Sequence, residues 1–141
     1  MVSGNDQVRK SRTLSVAIRR TPQDVYDFVS NPKNLPQWAK GLGGTVKETG
    51  TGWVIETSAG TASIRFATSN NFGVLDHYVS PAPGIEIYVP MRVVANGTGS
   101  EVIFTLFRQP EMDDAHFAAD QALVESDLQT LKKVLEDGRA H

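Results

Sequence analysis

Two aspartates, one strand histidine and three strand arginines are the residues of this chain best suited to handling a ligand. Asp120 and Asp127 stand seven residues apart, about 10 Å along a helix axis. They fall inside an apolar stripe: at 100° per residue, Phe117, Val124, Leu128, Leu131 and Leu135 share one face, widened by Leu123 and Val134. Carboxylates on such a face need a buried partner, a ligand or water. As functional groups they would orient a ligand hydroxyl or, with a raised pKa, exchange protons. As structural groups they would pair with a strand arginine or bond a turn, holding the helix in register.

His77 lies within a strand, whereas His116 is near the helix start and His141 is terminal. An imidazole titrating near neutrality would serve as a general base or hydrogen-bond a carbonyl. Strand faces alternate, so Leu75, His77 and Val79 compete with Val74, Asp76 and Tyr78 for the inside. Arg65, Arg92 and Arg108 each sit in a strand or at its end. They would clamp a carboxylate or phosphate, or else be solvated or paired with an aspartate. Strict alternation turns Arg92 away from Ile87, Val89, Met91 and Val93, but Pro90 marks a bulge able to re-aim the residues after it. Of the aromatic residues Trp38, Trp53, Phe66, Phe72, Tyr78, Tyr88, Phe104 and Phe107, most read as core. Trp38 and Tyr88 join Asp127, Asp120, His77 and Arg92 as candidate ligand contacts, with Trp38 beside a glycine-rich gate at Gly41-Leu42-Gly43-Gly44.

Something must position these groups. Alternation from Val8 to Arg19 reads as a half-buried strand. Thr21-Pro22-Gln23-Asp24 starts a helix, with a capping threonine, proline at the first helical position and an early acid. Asn31-Pro32 interrupts it before a short second helix carrying Leu35 and Trp38. Strands then follow at Thr45 to Glu48, Trp53 to Thr57, Ala62 to Ser69, Phe72 to Val79, Ile85 to Ala95 and Glu101 to Arg108. Turns separate them at Gly50-Thr51-Gly52, Gly60, Asn70-Asn71, Pro81-Ala82-Pro83-Gly84 and Asn96-Gly97-Thr98-Gly99. The long helix closes the chain near Asp137. Hairpins throughout favour an antiparallel sheet, and the apolar stripe of the helix must lie on it, giving an α+β fold. A curved sheet around one helix leaves a gap suited to a ligand.

Composition bounds the function. With 141 residues, one domain over residues 8–138 is expected, after seven disordered residues. A net charge of −2, with dispersed basic residues, disfavours nucleic acid. With no cysteine there is no disulfide, thiolate metal site or cysteine nucleophile. One strand histidine and scattered acids are too few for zinc, so no metal is expected. No phosphate loop, nucleophile elbow or triad spacing occurs. The polar N-terminus and the lack of a membrane-length apolar run make a cytoplasmic location the expectation. Asn96-Gly97-Thr98 matches a glycosylation acceptor but reads as a turn.

The run Ile18-Arg19-Arg20-Thr21-Pro22-Gln23-Asp24-Val25-Tyr26-Asp27-Phe28-Val29-Ser30-Asn31-Pro32, followed by Trp38, resembles the start of the SRPBCC superfamily. The segments Ser100 to Phe107 and Asp127 to Glu136 resemble its end. Asp76 to Val79 and Val89 to Val93 look like a bacterial subgroup labelled polyketide cyclase or dehydrase. The resemblance spans about residues 8 to 137. It implies a helix-grip (START-like) fold, a sheet of about seven strands in the order β-α-α-β6-α, and no particular cofactor. Its members share no catalytic motif. The expected function is binding of a small hydrophobic or amphipathic molecule between helix and sheet. The alternatives are a cyclase- or dehydratase-type enzyme in the same pocket, and a chaperone-helper-like module with a protein partner.

Overall fold

The computed structural model describes residues 8–39, 45–50, 52–57 and 60–137. The first seven residues and the proposed gate at Gly41–Gly44 lie outside that set. The helices are α1 (Pro22–Val29), α2 (Leu35–Trp38, after a 3₁₀ turn over Pro32–Asn34) and α3 (Asp114–Glu136). The strands are β1 (Ser11–Ile18), β2 (Thr45–Thr49), β3 (Gly52–Thr57), β4 (Gly60–Phe66), β5 (His77–Ala82), β6 (Ile85–Val89), β7 (Met91–Asn96) and β8 (Gly99–Phe107). All pairings are antiparallel, in the orders β1-β8-β7 and β2-β3-β4-β5-β6. This is the expected mixed α+β helix-grip architecture, with eight strands where about seven were expected.

The extra strand arises at Pro90, where the expected Ile85–Ala95 strand divides into β6, which pairs with β5, and β7, which pairs with β8. Proline offers no N–H to a ladder. The Pro90 carbonyl still accepts from Thr105 N at 3.0 Å, and the neighbouring Met91 N–H donates to the Asp76 side chain at 2.9 Å. Alternation continues through the break: Val89, Met91 and Val93 are all buried while Arg92 is exposed. Pro90 therefore divides the sheet without re-aiming the side chains.

The expected Phe72–Val79 strand is a second departure. Residues 67–76 form a loop running beside β7, and strand geometry begins only at His77. Val93 N donates to Gly73 O at 2.9 Å, and Leu75 N to Met91 O at 2.8 Å. Gly73 has a φ of +71°, and a Cβ there would collide with the Val93 carbonyl oxygen. Only glycine allows that approach. Phe72, expected to open that strand, is 83 % exposed in this loop.

The helices follow their sequence signals. Thr21 caps α1 by accepting from Asp24 N, and Val25, Phe28 and Val29 are buried. Asp113 caps α3 by accepting from His116 N at 2.7 Å. The second half of α3 is locked down, with Leu128, Leu131 and Leu135 fully buried. Arg20 donates to Leu135 O at 2.7 Å, and Lys132 to Ala17 O at 2.8 Å. The first half is less enclosed: Val124 is partly buried and Leu123 half exposed. No described helix is long and apolar enough to cross a membrane.

Candidate functional site

Between the first half of α3, the end of α2 and the inner face of the sheet, the described residues leave a space of about 210 Å³. Its walls are apolar: Phe66, Ile87, Val89 and Phe104 from the strands, Val124 and Leu128 from α3. Four side chains with polar groups also border it, namely Trp38, His77, Asp120 and Asp127. Four of the six expected contacts thus share one space. β5 turns His77 and Val79 towards the space, and Leu75, just before it in the loop, is buried with them, which resolves the competition between the two faces.

His77 is 5 % exposed, and its ring packs against Phe66 and Phe104 with centroids 4.9 and 6.1 Å away. Its Nδ1 lies 3.0 Å from the Leu75 carbonyl oxygen. A carbonyl only accepts, so this bond assigns the proton to Nδ1 and the lone pair to Nε2. Burial holds the imidazole pKa below its ordinary value, against the opposing pull of the Leu75 bond and the Asp76 charge. His77 is therefore a neutral imidazole with one acceptor nitrogen.

Trp38 is 4 % exposed, and its Nε1–H is a buried donor with no partner among the described residues. An orphaned buried donor carries a desolvation cost of about 1–3 kcal/mol. Asp120 faces the space from α3. Burial raises its pKa, while His116, 3.7 Å away on the same helix, acts the other way. No lysine or arginine is among the described residues lining the space. Its polar side chains are thus an indole, an imidazole and two carboxyl groups.

Arg92 and Tyr88 lie on the opposite face of the sheet, a correction that stems from the unbroken alternation through Pro90. There Asp76 accepts from Arg92 Nε at 3.0 Å, Arg92 Nη2 at 3.1 Å, Tyr88 Oη at 2.9 Å and Met91 N at 2.9 Å. Burial alone would raise the Asp76 pKa, but these bonds together hold it below the ordinary value. Tyr88 stacks between Tyr78 and Phe107, and Arg65 covers the Tyr78 ring while pairing with Glu86. Arg108 pairs with Asp114 at 2.7 Å. The strand arginines thus have carboxylate partners away from Asp120. Sequence reasoning passed over Asp76, whose signal was its position one residue from His77 and opposite a proline that disrupts the ladder.

No family model matches the chain, and no curated protein matches it. Solved structures do. XoxI from Bacillus cereus superposes with a TM-score of 0.73 at 19 % identity, covering 93 % of this chain and 99 % of that one. DynU16, from the dynemicin biosynthetic locus, gives 0.70 at 17 % identity, covering 91 % of this chain and 48 % of its own. The Aha1 dimer from Colwellia psychrerythraea gives 0.69 at 17 % identity, covering 90 % and 96 %. The chain shares their fold. At these identities the likeness extends to architecture alone.

Proposed function

We propose that this protein binds a small hydrophobic or amphipathic molecule in the space between α3 and the inner face of the sheet. The observation that carries this reading is a space of about 210 Å³ with apolar walls, bordered by Trp38, His77, Asp120 and Asp127. Ligand sites combine apolar walls with a few convergent polar groups in this way. The resemblance of Asp76–Val79 and Val89–Val93 to the cyclase-labelled bacterial subgroup, and the fold shared with DynU16, support the same reading.

A second reading, a cyclase- or dehydratase-type enzyme, is favoured by one observation. A neutral His77 and an Asp120 with a raised pKa border the same space, and proton-transfer chemistry needs two such groups together. Replacing either would then abolish turnover while binding survives.

Native mass spectrometry of protein purified gently from its own cells, compared with the denatured sample, tests the binding reading. The expected result is a discrete extra mass that leaves on denaturation. A bare chain mass, together with no uptake of any added compound of suitable size, would refute it.

A further inference from the structure

We propose that His77 is the residue by which the space reads its ligand: Nε2 accepts a hydrogen bond from a compact ring compound bearing an O–H or N–H group. This rests on the binding reading above and adds the ligand's chemical class and the end by which it is held.

His77 opens β5 and borders the space among Phe66, Val79, Val89 and Phe104. Its proximal ring nitrogen, Nδ1, turns back to the carbonyl of Leu75, two residues earlier in the chain, at 3.0 Å. That bond fixes the ring and leaves Nε2, the distal nitrogen, as an acceptor. Phe66 and Phe104 pack against the ring, with centroids 4.9 and 6.1 Å away. Aromatic carbon offers Nε2 no proton.

Nε2 makes no hydrogen bond within the described residues, yet protein does not seal it. Among those residues, Trp38 Nε1 is the one side-chain nitrogen or oxygen both fully enclosed and unpartnered. The unpartnered Nε2 therefore keeps an accessible face, on a residue that is only 5 % exposed and borders the space. A ligand donor fits such an acceptor. A ligand without one would close Nε2 off and leave it unmet, at a cost of about 1–3 kcal/mol.

Size and orientation follow. An apolar cavity of about 150 Å³ takes benzene, and drug-sized ligands need roughly 300–1,000 Å³. A space of about 210 Å³ therefore suits one or two rings. His77 stands on the sheet side, whereas α3 supplies the less enclosed wall, with Leu123 half exposed. The ligand's polar group thus seats against β5 and its apolar body lies towards α3.

Three probes with one ring system separate the donor from size and hydrophobicity. They are 2-naphthol, 2-methoxynaphthalene, which keeps the oxygen without its proton, and naphthalene, which lacks both. Each is titrated calorimetrically into the full chain at about pH 7, and the imidazole nitrogens of ¹⁵N-histidine-labelled protein are followed by NMR. 2-Naphthol should bind more tightly than either of the others by about fivefold to tenfold. Its binding should move the His77 Nε2 resonance upfield, as an accepted hydrogen bond does, and the other two probes should not. His77→Phe, which keeps a ring against Phe66 and Phe104, should bring the three affinities to within about twofold. Equal affinities in the unaltered chain, or 2-naphthol bound with Nε2 unmoved, would overturn the assignment and leave the binding reading intact. If none of the three binds, the assignment falls, and a bare chain mass in the native spectrum then takes the binding reading with it. The nitrogen resonance of the unaltered chain decides the matter even if His77→Phe fails to fold.

Discussion

On the outer face of the sheet, the Asp76 carboxylate accepts four hydrogen bonds from Arg92, Tyr88 and the Met91 amide. On the inner face, one residue further along, His77 uses one ring nitrogen on its own loop, and Trp38 holds an N–H that nothing described satisfies. The outer cluster is more polar, more charged and richer in aromatic stacking, so it looks the better site from residue types alone. Its groups, however, are already paired with one another. Their bonds tie loop 67–76 to the β6–β7 break and replace the ladder that Pro90 interrupts. On the inner side, the Trp38 N–H has no partner among the described residues. Unspent hydrogen-bonding capacity in an apolar surround, rather than density of charge, separates the candidate site from the scaffold.

The largest expected effect breaks the outer cluster. Asp76→Ala orphans the Met91 N–H and removes the ion pair with the half-exposed Arg92, and should cost about 2 kcal/mol of stability, read by urea denaturation. Its affinity for 2-naphthol, a small aromatic probe of the inner space, should stay as in the parent chain. A loss of affinity in the folded variant would mean that the two faces are not separable in function.

A smaller effect sharpens the inner side. The His77 pKa is lowered in the folded chain from its ordinary 6.5, so the unfolded state binds the proton first. The corresponding stability is complete above pH 6.5 and is lost as pH falls from there towards the folded pKa, at up to about 1.4 kcal/mol per pH unit. Asp76, also lowered, contributes stability above its ordinary 3.8 and loses it below. Denaturation curves between pH 7 and pH 5 should therefore slope for the parent chain, and His77→Leu should remove that component. An unchanged slope would place the titrating group elsewhere.

Arg65→Ala should have the smallest effect. It removes an exposed ion pair with Glu86 and a cation–π contact with Tyr78, together worth no more than about 1 kcal/mol. A thermal scan that shows a larger loss would mean that the outer stack carries more of the fold than its exposed contacts supply.

Most of the scaffold was legible because its signals are local. Thr21-Pro22 starts α1, the Asn96 turn joins β7 to β8, and the spacing of Leu128, Leu131 and Leu135 marks the buried face of α3. Other features depend on what lies across the sheet. A period of two has two equivalent phases, so nothing near His77 says whether it or Asp76 faces the helix. Pro90 announces a break but not its partners, and the Phe72–Asp76 run has strand-like residues that Gly73 and the Asn70 side chain hold in a loop. Tyr88 and Arg92 were placed at the site on residue type, and strand parity puts them outside. An unpaired indole N–H has no sequence signature at all.

The most direct test follows the tryptophan indole and backbone amide signals of ¹⁵N-labelled protein as 2-naphthol is added. With the ligand seated between α3 and the sheet, the Trp38 indole N–H should move while that of Trp53 and the amides of Tyr88 and Arg92 hold still. Movement confined to Tyr88 and Arg92, with Trp38 unmoved, would contradict the inner site and make the outer face the binding surface.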